Sequence, residues 1–332
     1  MSLEKQKKKI SNHTFLVTGG AGFIGSNIVK YLLDNEAKHV KVLDNLSNSS
    51  IENIEKFFSY KNFEFIEGDI RSIDTCIKAS RNINFISHQA ALGSVPRSIK
   101  YPIETNDVNI GGHLNMLISA KDSKSLIKMV YASSSSCYGY KPFLPNEEGK
   151  EGKPLSPYAI TKLTNENYSE IFSKVYNLNT VGLRYFNVYG PNQSLENPYA
   201  AVIPLFIKAA LSNNRPFIYG DGKTSRDFTY VDNVVQANII SMFNTKNIKN
   251  HQIFNIACGN SCSLNQLWEM ISNITNSKLK PIYKEERQGD IKHSYANINK
   301  AKKLIFYKPI TDIQSCLMKT INFEKNTSSS TS

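Results

Sequence analysis

The chain has 332 residues, 40% of them hydrophobic and 20% charged, enough for one large core or for two domains that share a cleft. Its 40 Lys and Arg against 28 Asp and Glu leave a net charge of +12, a surplus that suits nucleic acid, a membrane surface or an anionic substrate. Aromatic residues do not interleave Lys5, Lys7, Lys8 and Lys9, no run is apolar enough to span a bilayer, and Cys76, Cys137, Cys258, Cys262 and Cys316 lack metal-site spacing, so neither nucleic acid, membrane nor metal is expected and the setting reads as cytoplasmic and reducing.

Residues 1–10 read as a solvated, mobile arm. The first element follows: Phe15, Leu16 and Val17 form a buried strand, and Gly19, Gly20, Gly22 and Gly25 stand between it and a helix-periodic run that includes Phe23 and Ile24. Strand, glycine loop and helix in this order make a phosphate cradle. Gly19 and Gly20 allow the turn, Gly22 lets backbone approach a pyrophosphate, and Gly25 lets the helix pack on the strand. A second strand, Val40 to Leu43, ends at Asp44, where a carboxylate accepts ribose hydroxyls and repels a 2'-phosphate. NAD is expected over NADP.

Further strands are predicted at Phe63 to Ile66, Ile83 to Ser87, Met129 to Ala132 and Thr180 to Leu183, with helix-compatible stretches between them. The alternation requires right-handed crossovers and a doubly wound parallel sheet. Strand ends face the crevice in such a sheet, which puts Asp69 and Ile70 beside the adenine and small residues such as Ala90 against the cofactor. Ser94, Arg97 and Ser98 offer hydrogen bonds beyond it; His88 receives no chemical role, and Asn109 at most anchors backbone. The fifth strand runs into Ser133, Ser134, Ser135 and Ser136. Ser156 and Pro157 then open a helix on which Tyr158 and Lys162 lie one turn apart on one face. A phenol titrates near pH ~10, so a neutral-pH base needs about 4 kcal/mol of preference for phenolate. An adjacent ammonium and a cofactor cation are the expected source, with Ser134 orienting the reacting oxygen.

Together the Thr18–Gly25 loop, Asp44-Asn45, Gly68-Asp69-Ile70, Ser134, Tyr158 through Lys162 and Leu183 through Pro191 resemble the extended short-chain dehydrogenase/reductase family, and within it the nucleotide-sugar 4-epimerases. The resemblance implies α/β architecture: a Rossmann-type doubly wound parallel sheet over 11–184, a smaller mixed α/β substrate domain over 185–325 whose elements interleave with the first, and flexible tails at 1–10 and 326–332. It implies tightly held NAD, a UDP-sugar substrate and a homodimer. Tyr158 would be the acid/base, Lys162 its tuner and Ser134 its partner. Asn187, Arg226 and Arg287 would meet the diphosphate, Ala201 and Val202 the nucleotide, Tyr219 the uracil and Asp290 the ribose.

Ser294 departs from the pattern of epimerases restricted to glucose and galactose, which carry a bulky tyrosine at the matching position. The smaller side chain leaves room for a 2-acetamido group, with Ser94, Ser98, Ser135 and Ser136 as candidate contacts. The expected reaction is C4 epimerisation of UDP-N-acetylglucosamine, or of the corresponding uronic acids. Ser135 and Ser136 occupy the places where a 4,6-dehydratase or a decarboxylase would need an acid. A non-catalytic NAD-binding regulator is the expectation from a different class.

Overall fold

The computed structural model describes residues 3–140, 143–195, 201–244, 250–286 and 291–330. Its centre is a sheet of seven parallel strands: β1 (Thr14–Thr18), β2 (His39–Asp44), β3 (Phe63–Glu67), β4 (Phe85–His88), β5 (Lys128–Ser134), β6 (Thr180–Tyr185) and β7 (His251–Ile256). Their spatial order is β3-β2-β1-β4-β5-β6-β7. The order reverses between β1 and β4, and a reversal of this kind opens a crevice at the carboxyl ends of the strands.

Helices α1 (Leu3–Ser11), α2 (Phe23–Asp34), α3 (Ile73–Ser80), α4 (Val95–Lys100), α5 (Pro102–Asn106), α6 (Gly112–Asp122) and α7 (Pro157–Tyr176) accompany the first six strands. Both sheet faces are covered, so neighbouring residues of one strand enter different cores. Phe15 and Val17 of β1 join Ile28, Val29 and Leu32 of α2; Leu16 joins Met116 and Leu117 of α6 and Phe172 of α7. Burial on both faces explains why β1 and β6 read as continuous apolar runs.

The chain then alternates between lobes. Helix α8 (Val202–Leu211) belongs to the smaller lobe, whereas α9 (Val231–Phe243) packs on α2 and β7 pairs with β6 in the large sheet. Residues 231–256 therefore cross the expected 184/185 boundary. Helices α10 (Leu264–Thr275), α11 (Asn299–Ile305) and α12 (Ile313–Ser330) complete the chain. Phe206 of α8, Trp268 of α10 and Leu317 of α12 share the core of the smaller lobe.

Both expected tails are corrected. The lysines at 7–9 are exposed, but α1 is an ordered helix whose Ile10 is fully buried in the first core, with Lys7 paired to Glu36 (2.8 Å). Two apolar residues in nine, Leu3 and Ile10, make too sparse a pattern for a sequence reading to detect a helix. At the other end α12 stays helical to Ser330 instead of ending before Asn326.

Candidate active site

The glycine loop fits a dinucleotide by what a side chain would strike. Gly19 has φ +66°, and a Cβ there would lie 2.7 Å from the backbone nitrogen of Ala90; at Gly25 it would lie 2.1 Å from the carbonyl oxygen of Gly19. Helix α2 starts behind Gly22 with no side-chain cap, which keeps its first N–H groups available to an anion. A cavity of about 560 Å³ runs from this loop along the strand ends, within the usual size of cofactor and substrate sites. Gly19, Gly22, Phe23, Ile24 and Gly25 line it after β1; Asp44, Asn45, Asp69 and Ile70 line it on the side of β2 and β3, and Ala90, Ser94, Ser134, Ser135, Tyr158 and Lys162 on the side of β4 and β5. Asn187 and Ala201 line it from the smaller lobe.

Asp44 accepts from Ala21 N (2.9 Å), Leu46 N (3.0 Å) and Ser49 Oγ (2.8 Å). Three internal donors fix the carboxylate and leave about one of its four acceptor positions for a ribose hydroxyl. Asp69 receives Asn45 Nδ2 and Arg71 Nη2 at 2.8 and 2.7 Å, and hydrogen bonding to Arg71 holds its carboxyl down at about 2. Its carboxylate is held in an ion pair with Arg71 at the cavity wall. Asn109 lies in a π-helical turn over Asp107–Gly111. Its amide accepts from Leu92 N (2.8 Å) and donates to Leu92 O (3.2 Å) and Thr161 Oγ1 (3.1 Å), tying the loop after β4 to α7.

Ser156 caps α7 by accepting from Ala159 N, and Pro157 occupies its first turn. Lys162, 3% exposed, donates to Ala132 O at 2.8 Å and stands 5.9 Å from the Tyr158 ring centre. Burial lowers its ammonium to about 8. Ser134 Oγ accepts from Ser136 N (3.1 Å) and Ser136 Oγ (2.9 Å). A hydroxyl has two acceptor positions and one proton, so Ser134 is left to donate to the Tyr158 oxygen, a bond that lowers the phenol's pKa. The ammonium and the cofactor cation expected to acidify this phenol act against its burial. Burial outweighs the Ser134 bond and pushes Tyr158 up to about 12, so about 7 kcal/mol of further preference for phenolate is needed at neutral pH. His88 is buried beside Lys162, which helps burial hold its imidazole down at about 3, and its Nδ1 shares a 2.6 Å bond with Thr18 Oγ1.

Several expected contacts are already engaged or lie elsewhere. Ser98 is fully buried, donating to Val95 O (2.7 Å) and accepting from Tyr158 N (3.1 Å); it supports the helix start and does not face a sugar. Ser94 caps α4 from the cavity wall, and Ser136 is held on Ser134. Val202, Tyr219, Arg226 and Ser294 are outside the cavity lining. Tyr219 ends a strand paired with Ile282–Lys284. Arg226 Nη1 donates to Ser225 O (2.9 Å) and Lys292 O (3.3 Å), and its residue lines a separate cavity of about 170 Å³. Ser294 pairs with Arg226 in a small sheet, its Oγ accepting from Asn146 Nδ2 (3.3 Å). Arg287 and Asp290 lie outside the described residues.

Gln89 and Tyr185 line the cavity without having been singled out. Tyr185 donates to Gln89 Oε1 (3.1 Å) and accepts from Asn238 Nδ2 (2.9 Å). Their signal was position alone: one follows β4 directly and the other ends β6. The glycine geometry gives a test. A Gly25→Ala variant is expected to lose at least about ten-fold in NAD affinity, read by equilibrium dialysis, because the added methyl meets backbone that cannot yield.

Comparisons with known proteins agree with this geometry. The model of the NAD dependent epimerase/dehydratase family matches residues 15–257. A putative UDP-glucose 4-epimerase of Methanocaldococcus jannaschii is 36% identical over 313 residues, covering 94% of this chain and 98% of its own. The structure of a UDP-N-acetylglucosamine 4-epimerase from Methanobrevibacter ruminantium M1, in complex with UDP-N-acetylmuramic acid, has a TM-score of 0.89 at 40% identity and covers 95% of this chain and 99% of its own. A UDP-glucuronic acid 4-epimerase from Bacillus cereus, in complex with UDP-glucuronic acid and NAD, has a TM-score of 0.86 at 30% identity, with coverage of 95% and 99%. With its parallel sheet, glycine cradle and family match, the chain belongs to the NAD dependent epimerase/dehydratase family, and NAD is its cofactor.

Proposed function

We propose that this protein is a UDP-sugar 4-epimerase that prefers 2-acetamido sugars and interconverts UDP-N-acetylglucosamine and UDP-N-acetylgalactosamine. The observation that carries the reading is the meeting of Tyr158, Lys162 and Ser134 in the cavity that the glycine loop also lines. The loop from Gly19 to Gly25 would hold the pyrophosphate, Asp44 a ribose, and Lys162 the ribose nearest the reacting end. NAD supplies the reversible acceptor for the C4 hydride. Tyr158 takes the proton of the C4 hydroxyl and later returns it, Ser134 donates to the same oxygen, and the Lys162 cation favours the phenolate. Inversion requires the keto sugar to present its other face, so the nucleotide must be held tightly and the hexose loosely. By the family resemblance Asn187, Arg226 and Arg287 are assigned to the diphosphate, and small serines to the hexose.

Preference for the acetamido group is supported by Ser294, and by the Methanobrevibacter relative, whose bound ligand is an N-acetylated UDP-sugar. The Bacillus relative supports a second reading, in which C6 is a carboxylate. A cytoplasmic location suits the five cysteines, all free, and none of the described helices is long and apolar enough to cross a membrane. Dimerisation is supported by Ile160, Ile171 and Val175, exposed along α7 beside exposed Ile99 and Ile103 of α4 and α5, an apolar stripe that a second copy would cover.

Turnover of UDP-N-acetylglucosamine, its uronic acid and UDP-glucose by one preparation tests the substrate assignment: the first is expected to be fastest, and preference for a sugar without the acetamido group overturns it. Tyr158→Phe is expected to lower kcat by about 100-fold or more; an unchanged kcat would remove Tyr158 from the role of base, whereas a parent protein that turns over no UDP-sugar would leave the NAD-binding regulator. Lys162→Met is expected to move the acid limb of the kcat profile to higher pH, since loss of a neighbouring cation disfavours the phenolate. Sedimentation equilibrium is expected to give a dimer that Ile171→Asp converts to monomer; a monomeric parent protein contradicts the dimer.

A further inference from the structure

Tyr158 and Lys162 are followed at the same helical spacing by Glu166, so α7 turns a third functional side chain toward the end of β5. Glu166 is 6% exposed and accepts three hydrogen bonds: from Ser133 Oγ at 2.5 Å, Arg184 Nε at 2.8 Å and Arg184 Nη2 at 2.6 Å. Ser133 and Arg184 are each 3% exposed and are register partners in the β5/β6 ladder. Arg184 is fixed in turn by Glu151 and by the Tyr138 ring, 4.8 Å from its guanidinium carbon. Nothing in the cavity needs Glu166 as an acid, and a buried ion pair is weak evidence for stability. Its position, between the helix bearing the phenol and the residue just before Ser134, gives it another use.

We propose that Glu166, anchored by Arg184, is a positioning residue that clamps Ser133 and so holds Ser134 against the Tyr158 oxygen. The inference rests on Tyr158, Lys162 and Ser134 acting as proposed above. Two bonds join α7 to consecutive residues of β5: Lys162 holds the carbonyl of Ala132 and Glu166 holds the hydroxyl of Ser133. The ladder to β6 carries the strand backbone as far as Ser134. The bond from Ser133 to Glu166 adds a second side-chain tie, which sets α7, and with it the Tyr158 oxygen, against the residue that offers its proton. Arg184 holds the carboxylate through two parallel bonds, which set its plane as well as its distance.

Ser133→Ala tests the clamp directly, because it removes one donor and leaves the Arg184 ion pairs intact. The expected result is a kcat at least about ten-fold lower, with the KM for the UDP-sugar, the NAD content and the melting temperature unchanged. The acid limb of the kcat profile should also move to higher pH, since a displaced Ser134 no longer favours the phenolate; of the other groups facing Tyr158, Lys162 on α7 and His88 behind it are untouched, and Cys137 after β5 loses only its 3.6 Å contact with Ser133 Oγ. Glu166→Asp keeps the charge beside Arg184 but withdraws the carboxylate from Ser133, and is expected to reproduce both effects. Wild-type kcat and an unmoved acid limb in Ser133→Ala overturn the proposal, as does a loss accompanied by equal losses of NAD content and melting temperature. Tyr158→Phe separates the levels. If it remains active the underlying reading fails; if it is inactive while Ser133→Ala is fully active, only the clamp fails.

Discussion

The docking of α7 against the carboxyl end of β5 is the constraint on which the rest of this molecule depends. Lys162 reaches Ala132 O and Glu166 reaches Ser133 Oγ, so a helix and a strand that are separated in sequence meet in a single register. The parallel sheet makes the meeting useful, because its strand ends all open on the crevice beside the β1/β4 reversal. Asn109 adds the opposite wall by joining the Leu92 backbone to Thr161 of the same helix. Disturbing this register would misalign the reacting groups while leaving the glycine cradle intact.

Burial at this junction acts on the ionisable groups in opposite directions. It raises the Tyr158 phenol to about 12 and lowers the Lys162 ammonium to about 8, both toward the neutral form. The protein by itself therefore holds a phenol, an ammonium of reduced basicity and a neutral His88. Burial thus opposes the phenolate that a neighbouring cation favours.

Much of this was legible in the sequence. The glycine loop, Asp44 and the Tyr158/Lys162 pair are local patterns whose geometry follows from strand and helix periods, and the family match supports the fold read from them. Other features depend on contacts between distant segments. The Ser98 hydroxyl looked available until the fold set it against the Tyr158 backbone, and Glu166 became informative only when strand pairing brought Ser133 and Arg184 side by side. The late return of β7 to the sheet was hidden because His251, Gln252 and Asn255 interrupt its apolar run. The burial of Tyr158 was hidden for a related reason: a neighbouring charge is visible in a sequence, whereas desolvation is not.

The central claim is that the hydrogen removed from C4 of a UDP-sugar is kept inside this cavity and returned to the same carbon. Incubating the NAD-loaded protein with UDP-N-acetylglucosamine in deuterium oxide, and reading the product by proton NMR, tests it most directly. The account predicts UDP-N-acetylgalactosamine that retains protium at C4. Deuterium at C4, or conversion that proceeds equally well after NAD is removed, would contradict it.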